Sequence, residues 1–297
     1  MKVGFIGLGR MGRPMASNLQ RKGFSVTGFD LNEHGKAALV EVGGTGAATA
    51  ADAAKDADVI FTMLPNSKDV LSVVENDIAP VAKKGAIIVD MSTIDPLVTD
   101  EIAALAAEKG FRFADAPVGR LAHHADRGEC LFMVGATDEV FAEITPLLEA
   151  MGTTIHHCGP VGAGMRMKVV NNYLAVAAAQ LNAETLTLST RFGLDLEKTI
   201  EVLNGTTANN GHLKTGFPVK VLAGDIEPGF QIDLAHKDLG LALSAASAMK
   251  VPLSMGSAAR ECLQLARARG FGGKDFSGLL DAWCALADVE PPRLKKS

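Results

Sequence analysis

One arginine stands at a bend between two apolar segments. The stretch Ala114-Asp-Ala-Pro-Val-Gly-Arg120 ends an apolar run, turns at Pro117 and Gly119, and places Arg120 at the turn. A guanidinium carries five donors in a planar fork and keeps its charge at physiological pH, so it suits a small anion. Most arginines are solvated surface residues. The position therefore predicts an anion clamp, with a solvated turn residue as the alternative.

Three polar residues recur at helical spacing further along the chain. Lys168, Asn171 and Asn172 are three and four residues apart, so a helix places them on one face. A lysine can donate or accept a proton, and neighbouring amides can hold hydroxyl or carbonyl oxygens. A solvated helix face is the alternative, but asparagine is a poor helix former in mid-helix. Because Gly162 and Gly164 precede this face, we expect it to lie where two domains meet.

A glycine-rich stretch opens the chain. Gly7-Leu-Gly-Arg-Met-Gly12 follows a predicted strand and begins a helix, the setting in which G-x-G-x-x-G binds the pyrophosphate of a dinucleotide. Asp30 ends the next strand, where an acidic side chain can hold the ribose 2′-hydroxyl; a helix N-cap is the alternative. Leu31, Asn32 and Glu33 follow it, with no arginine to receive a 2′-phosphate. The pattern favours NAD over NADP.

Strands and helices alternate through the first half. Apolar runs predict strands at Lys2–Ile6, Ser25–Phe29, Val59–Met63, Ala86–Asp90, Phe111–Ala116, Cys130–Val134 and Thr153–His157. Helical patterns lie at Met11–Arg21, Glu33–Val42, Ser67–Val74, Leu97–Glu108 and Glu139–Met151. This alternation predicts a Rossmann-type α/β domain with a mostly parallel sheet.

The second half reads as helical. One long helix is predicted from Met165 to Arg191, and others at Asp195–Leu203, Ile232–Met249, Gly256–Arg269 and Ser277–Leu286. The tail Val289–Ser297 is predicted to be loose. We expect an NAD-binding domain at 1–161 and, at 162–297, an all-α domain built on the long central helix for substrate binding and oligomerisation.

Composition excludes several classes of protein. Among 297 residues, 47% are hydrophobic and 21% charged, and the net charge of -5 argues against a nucleic-acid partner. No apolar run is long enough for a membrane span. Four cysteines without a C-x-x-C pair indicate reduced thiols and a cytoplasmic protein. His123-His124 and His156-His157-Cys158 lack the spacing of a ligand set, so no metal is expected.

The chain resembles the β-hydroxyacid dehydrogenase family, which includes 3-hydroxyisobutyrate dehydrogenases and tartronate-semialdehyde reductases. The motifs that carry the resemblance are FIGLGRMGRPMASNL, TMLPNS, VDMST, GAGMRMKVVNN and LAHKDLGLAL, in this order. The resemblance implies that Lys168 is the catalytic acid/base. It implies that Asn172 and Thr93 hold substrate or nicotinamide, and that Lys237 lies by the cofactor, although Lys237 could simply pair with Asp233. It also implies homodimers or homotetramers and the following cofactor-binding residues: Gly7, Gly9, Arg10, Met11, Gly12, Asp30, Leu64, Thr93 and Lys237.

One family motif is altered, and it is the stretch with the arginine. Typical members read D-x-P-V-S-G-G, whereas this chain has Gly119 in place of the serine and Arg120 in place of the next glycine. The change resembles the branch of the family that reduces 3-sulfolactaldehyde to 2,3-dihydroxypropane-1-sulfonate. It implies that the small anionic substrate meets the following residues: Arg120, Gly119, Asn171, Asn172, Tyr173 and Thr93. A carboxylate semialdehyde as substrate, and an NAD-binding protein without catalysis, remain as alternatives.

Overall fold

The computed structural model describes residues 1–295, and its first compact unit, Met1–Val169, contains a nine-stranded sheet. The strands are β1 Lys2–Ile6, β2 Ser25–Phe29, β3 Thr45–Gly46, β4 Val59–Thr62, β5 Ile87–Asp90, β6 Arg112–Asp115, β7 Val118–Gly119, β8 Cys130–Gly135 and β9 Gly152–Gly159. Their order is β3-β2-β1-β4-β5-β6-β8-β7, with β9 paired to β8. Strands β1 to β6 are parallel to one another, whereas β8 runs antiparallel to β6 and β7 and parallel to β9.

The parallel strands end in register. Ile6 is level with Thr62, Thr62 with Asp90, and Asp90 with Asp115, so four carboxyl ends form one edge of the sheet. Ligands of open α/β sheets bind outside this kind of edge. The polar side chains that end β4, β5 and β6 therefore lie at the edge where a site is expected.

Helices cover both faces of this sheet. They are α1 Gly12–Arg21, α2 Glu33–Glu41, α3 Ala50–Ala54, α4 Ser67–Val73, α5 Pro96–Glu108, α6 Ala122–Asp126 and α7 Asp138–Met151. Successive strand residues point to opposite faces, so Val59 and Phe61 enter one core and Ile60 enters the other. Side-chain caps define several helix starts; Asp95, for example, accepts from the Leu97 N–H before Pro96 opens α5.

The second compact unit spans Val170–Ser297, and its described residues form helices and the loops between them. Helix α8, Ala163–Arg191, begins in the first unit and continues into the second. The others are α9 Leu196–Asn204, α10 Phe217–Val219, α11 Ile232–Ala248, α12 Ser254–Ala266 and α13 Leu279–Leu286. Their core includes the fully buried Leu186, Phe217, Leu239 and Leu263.

The predicted fold class, a Rossmann-type sheet domain followed by a helical domain, is confirmed. The domain boundary at 161/162 stays a prediction; the two compact units divide after Val169, inside α8. Five short strands and α-helices were not predicted: β3, α3, β7, α6 and α10.

The prediction of a loose tail is wrong for most of its length. The Leu294 N–H donates to the Leu222 carbonyl at 2.8 Å, and Arg293 pairs with Asp281 at 2.8 Å. Val289 and Leu294 also pack against the helical core. A backbone hydrogen bond, an ion pair and two apolar contacts thus hold the segment against the helices. Residues 296 and 297 of the predicted tail lie outside the described residues.

Candidate functional site

The glycine loop after β1 has the shape of a phosphate cradle. Gly7 has φ +98°, and a Cβ there would lie 2.3 Å from the Met63 carbonyl oxygen. A Cβ on Gly12 would lie 1.9 Å from the Gly7 carbonyl oxygen, so both positions exclude a side chain. At Gly9, no heavy atom of residues 1–295 other than its chain neighbours comes within 4 Å of a Cβ position. The loop is thus closed where helix meets strand and open where a ligand would approach.

The start of α1 is suited to an anion. Met11 precedes the helix, and no side chain of the described residues caps it. In this turn the Arg13 and Met15 N–H groups donate to the carbonyls of Gly9 and Met11, and Pro14 has no N–H, so the helix start offers an anion the positive end of its dipole. Arg10, predicted to bind the cofactor with Met11, is exposed in the same loop.

Asp30 is tied to this loop. Its carboxylate accepts from the Leu8 N–H at 2.6 Å and from the Asn32 N–H at 2.7 Å. The N-cap of α2 is Asn32, which accepts from the His34 N–H, so Asp30 does not have the alternative role of a helix cap. The His34 ring in turn lies 2.8 Å from the Arg13 guanidinium. Arg13, on α1, was not predicted, because only the residues that follow Asp30 were expected to carry a cation for a 2′-phosphate.

The ends of β4 and β5 are joined by polar side chains. The Thr62 hydroxyl donates to Asp90 at 2.8 Å, and the Leu64 N–H donates to the Ser92 hydroxyl at 2.9 Å. Leu64 and Thr93 are both half-buried next to these bonds. Leu64 and Thr93, two of the predicted cofactor-binding residues, therefore lie at the same edge of the sheet.

Lys168 is held near the turn that contains Arg120. Its Nζ donates to the carbonyl oxygen of Val118 at 2.7 Å, across a sequence separation of 50 residues. The side chain is half-buried on the second turn of α8. A lysine on a solvated helix face, the alternative in the sequence, would have no such fixed partner. The structure thus places an ammonium group beside the backbone of Gly119.

Asn171, Asn172 and their partners form a chain of polar contacts in the second unit. The Asn171 amide donates to the Asn172 oxygen at 3.0 Å, and the Asn172 amide donates to Asp238 Oδ2 at 2.7 Å. The Lys237 ammonium lies 3.1 Å from Asp238 Oδ1, as an ion pair without hydrogen-bond geometry. The buried Asp238 was not predicted as a site residue. A carboxylate in an otherwise apolar helix was the available signal.

Arg120 has partners of its own. Its guanidinium donates to the Glu129 carbonyl at 2.6 Å and to the hydroxyls of Thr153 and Thr154 at 3.0 Å each. The residue is exposed, with φ +70°, in the left-handed region that favours glycine. A Cβ on Gly119 would lie 3.1 Å from Leu131 Cδ2, so a serine there needs a small movement of Leu131.

Tyr173 faces the helical core of its unit. A Cβ on Gly256 would lie 2.6 Å from the Tyr173 ring, which shows how closely the ring packs on α12. Its hydroxyl was predicted to meet the substrate, and this stays a prediction.

The remaining side chains and helices bear on metal binding, thiol chemistry and membrane insertion. Among residues 1–295, no group of three or more His, Cys, Asp or Glu side chains is arranged to hold a metal ion. The four cysteines are free thiols, and burial raises the pKa of Cys130 to about 12, which keeps this thiol protonated. In the same described stretch, no helix has the length and apolar character required to cross a membrane.

The open glycine loop, the start of α1 without a side-chain cap and the carboxylate at the end of β2 fit a dinucleotide, and together they define a Rossmann-type dinucleotide-binding protein. Comparisons with known proteins agree. The family described as the NAD binding domain of 6-phosphogluconate dehydrogenase matches residues 2–159. The family described as NAD-binding of NADP-dependent 3-hydroxyisobutyrate dehydrogenase matches residues 162–283. The chain belongs to the 3-hydroxyisobutyrate dehydrogenase family of β-hydroxyacid dehydrogenases.

Individual relatives cover nearly the whole chain. It is 44% identical over 281 residues to the 3-sulfolactaldehyde reductase of Escherichia coli (strain K12), covering 94% of each chain. It is 39% identical over 291 residues to the 2-(hydroxymethyl)glutarate dehydrogenase of Eubacterium barkeri, covering 97% of each. The structure of Mycobacterium tuberculosis 3-hydroxyisobutyrate dehydrogenase with L-serine superposes with a TM-score of 0.89 at 32% identity, covering 95% of this chain and 98% of that one. The protein is a nicotinamide-dependent dehydrogenase or reductase.

Proposed function

We propose that this enzyme reduces 3-sulfolactaldehyde to 2,3-dihydroxypropane-1-sulfonate with NADH, in a reversible reaction. The observation that carries the proposal is the 2.7 Å hydrogen bond from Lys168 to Val118, because it holds the ammonium group that we propose as the proton donor beside the Gly119-Arg120 turn. The 44% identity to a relative named 3-sulfolactaldehyde reductase supports the choice of substrate. The free thiols are consistent with a site of action in the cytoplasm.

A reduced nicotinamide bound at the glycine loop supplies the hydride. Lys168 keeps its proton at Nζ and gives it to the carbonyl oxygen of the substrate as that oxygen becomes an alkoxide. Asn172, fixed by the buried Asp238, orients the polar groups near the carbonyl. Arg120 and Asn171 hold the anionic end.

The sulfonate is assigned from the chemistry of Arg120. A sulfonate is tetrahedral, bulkier than a carboxylate, and stays ionised throughout the physiological pH range. A planar fork of donors gives it two charge-assisted hydrogen bonds. Thr153 and Thr154 are neutral acceptors for the same guanidinium, so a sulfonate oxygen can replace either of them with a gain in electrostatic energy.

A second candidate substrate is a carboxylate semialdehyde. The observation in its favour is that the Arg120 guanidinium already has three acceptors, so it could brace the turn instead of binding a ligand. The similarity to a relative named 2-(hydroxymethyl)glutarate dehydrogenase also favours a carboxylate substrate. In that case, backbone groups near Gly119 would meet the carboxylate.

Steady-state kinetics with NADH separate the two candidates. We expect kcat/KM for 3-sulfolactaldehyde to exceed that for tartronate, methylmalonate and succinate semialdehydes by at least about tenfold, which corresponds to about 1.4 kcal/mol. A higher kcat/KM for one of the carboxylate substrates would assign the enzyme to that substrate.

We also propose that the enzyme prefers NADH to NADPH. The Asp30 carboxylate would repel a 2′-phosphate, so Asp30→Asn should narrow the ratio of kcat/KM for NADH over NADPH by about tenfold, which is about 1.4 kcal/mol. Asparagine is preferable to alanine because it keeps an acceptor for the Leu8 N–H. Equal efficiency with the two cofactors in the unmutated enzyme would contradict the proposal, and Arg13 beside His34 would then be the expected phosphate ligand.

Self-association through α8 is proposed as well. Four exposed apolar residues, Val170, Leu174, Leu181 and Leu188, are 65%, 69%, 50% and 54% exposed. They are four and seven residues apart and form one stripe, the spacing with which a helix packs against a second copy of itself. Leu174→Glu with Leu181→Glu should lower the molar mass measured by light scattering to that of the 31.0 kDa chain. Leu97→Glu, on the exposed side of α5, is the control that should leave the assembly intact.

A further inference from the structure

A buried carboxylate at the end of β6 holds the start of the helix that carries Lys168. Asp115 is fully buried. Its Oδ1 accepts from the Gly162 N–H and its Oδ2 from the Met165 N–H, each at 2.5 Å. Gly162 immediately precedes α8 and cannot provide a capping side chain. Asp115 therefore caps α8 from a strand, across 47 and 50 residues of sequence.

The junction between this helix start and the sheet leaves no room for adjustment. A Cβ on Gly135 would lie 2.4 Å from Asp115 Oδ1, and one on Gly164 would lie 2.2 Å from the Met133 carbonyl oxygen. Two glycines are thus required for the backbone of α8 to reach the strands. Because the backbone of α8 packs directly on the strands, with no side chain between them at these glycines, the Asp115 carboxylate determines the position of the first turn of α8.

The strand segment that carries the cap also contacts the proposed proton donor, Lys168. Val118, three residues after Asp115, accepts from Lys168 Nζ, and Lys168 lies three residues after Met165. The segment 115–118 therefore accepts hydrogen bonds from α8 at two points about one helical turn apart, at the helix start and at Lys168. We propose that Asp115 is a positioning residue of the reaction: its ionised carboxylate fixes the first turn of α8 and so holds Lys168 at the substrate. The inference rests on the proposed role of Lys168.

The charge of Asp115 can change near physiological pH. Burial raises its pKa to about 6, and the Asp90 carboxylate, level with it on β5, acts in the same direction. The N–H groups of Gly162 and Met165 lower the pKa but do not outweigh burial. The other ionisable groups that sense this carboxylate are the Cys158 thiol on β9 and the Arg166 guanidinium on α8. Below about pH 6, one oxygen carries a proton and no longer accepts freely from the helix.

Protonation of Asp115 is expected to lower the activity of the enzyme but to favour its folded state. A carboxyl group whose pKa is raised by folding contributes stability at low pH and loses that contribution as the pH rises through about 6. Protonation of Asp115 therefore does not itself unfold the protein. A fall in kcat below pH 6 that is caused by Asp115 should occur without a fall in the midpoint of thermal unfolding attributable to this group.

The test compares Asp115→Asn with Asp195→Asn in the 297-residue enzyme, using 3-sulfolactaldehyde, or the best substrate found, with NADH. Asp195 is the matched control because it caps α9 through the Lys198 N–H at 2.8 Å. We expect Asp115→Asn to lower kcat about 10- to 100-fold at pH 7.5, in the range that a displacement of about 1 Å can cause. The Kd for NADH should stay within about twofold, and kcat should no longer fall between pH 7 and pH 5. Asp195→Asn should keep the wild-type kcat and the wild-type pH profile.

Three results with the two variants would overturn the proposal. One is a wild-type kcat in Asp115→Asn. Another is an unchanged acid limb in that variant. The third is an equal loss of kcat in Asp115→Asn and Asp195→Asn, since general destabilisation would then explain both. If Asp115→Asn does not fold, a wild-type kcat that is constant from pH 7 to pH 5 overturns the proposal by itself. Retained turnover in Lys168→Ala would instead refute the proposed function, so the two failures are distinguishable.

Discussion

Replacing Lys168 with alanine is expected to lower kcat by about 10²–10⁴-fold, the usual contribution of one general acid. The ammonium group is fixed on the Val118 carbonyl and no longer exists in the variant, so the alkoxide must take its proton from water. The Kd for NADH should change little, because the amine is proposed to act on the substrate oxygen and not on the pyrophosphate. Stopped-flow single turnovers with fluorescence titration of NADH measure both quantities.

Two further variants separate proton donation from charge and from packing. Lys168→Met retains the length of the apolar stem and should be as slow as Lys168→Ala. Lys168→Arg retains the positive charge, but a guanidinium is a much weaker acid than an ammonium group, so kcat should still fall by at least about tenfold. If any of the three variants kept most of its turnover, Lys168 would not be the proton donor.

Removing the guanidinium at position 120 is expected to lower kcat/KM for 3-sulfolactaldehyde about 10- to 100-fold. The loss corresponds to about 1.5–3 kcal/mol for a charge-assisted hydrogen bond. Arg120→Gly is the cleanest variant, because φ +70° suits glycine and is strained for alanine. Lysine should rescue only in part, since a point charge does not reproduce the planar fork. Uncharged aldehydes of similar size should be poor substrates that hardly respond to the change.

The alternative, that Arg120 braces the turn, makes the opposite prediction for its neighbours. Thr153→Val with Thr154→Val removes both hydroxyl acceptors and leaves the guanidinium in place. A clamp should keep or improve kcat/KM for the sulfonate substrate, whereas a brace should lose activity as Arg120→Gly does. An equal loss on charged and uncharged aldehydes in Arg120→Gly would also indicate a brace. Gly119→Ser with Arg120→Gly should shift the preference toward carboxylate semialdehydes.

The long elements could be predicted because their signals are local. Strands β1 and β2 lie at the predicted residues, since continuous apolar runs bounded by turns leave few other choices. Strand β7 was missed because it has two residues and exists only through its pairing with β8. The antiparallel direction of β8 is a property of that pairing as well. Local sequence carries no information on it.

For the site, the sequence by itself determined which residues share a helix face and which glycines open the loop. Helical periodicity alone places Lys168, Asn171 and Asn172 together, and the glycine spacing alone predicts a loop that backbone N–H groups can line. These conclusions need only the geometry of one helix and one turn.

The tertiary structure decided which partner each polar group has. Lys168 bonds to a carbonyl 50 residues away, and Asn172 to a carboxylate 66 residues away. Arg120 donates to the carbonyl of Glu129 and to the hydroxyls of two threonines, and Asp115 caps α8. For the buried Asp115 and Asn172, the physical reason is that a polar group removed from water must find a partner wherever the folded chain brings one. Separations of this size are set by strand order and helix packing, which no local pattern encodes.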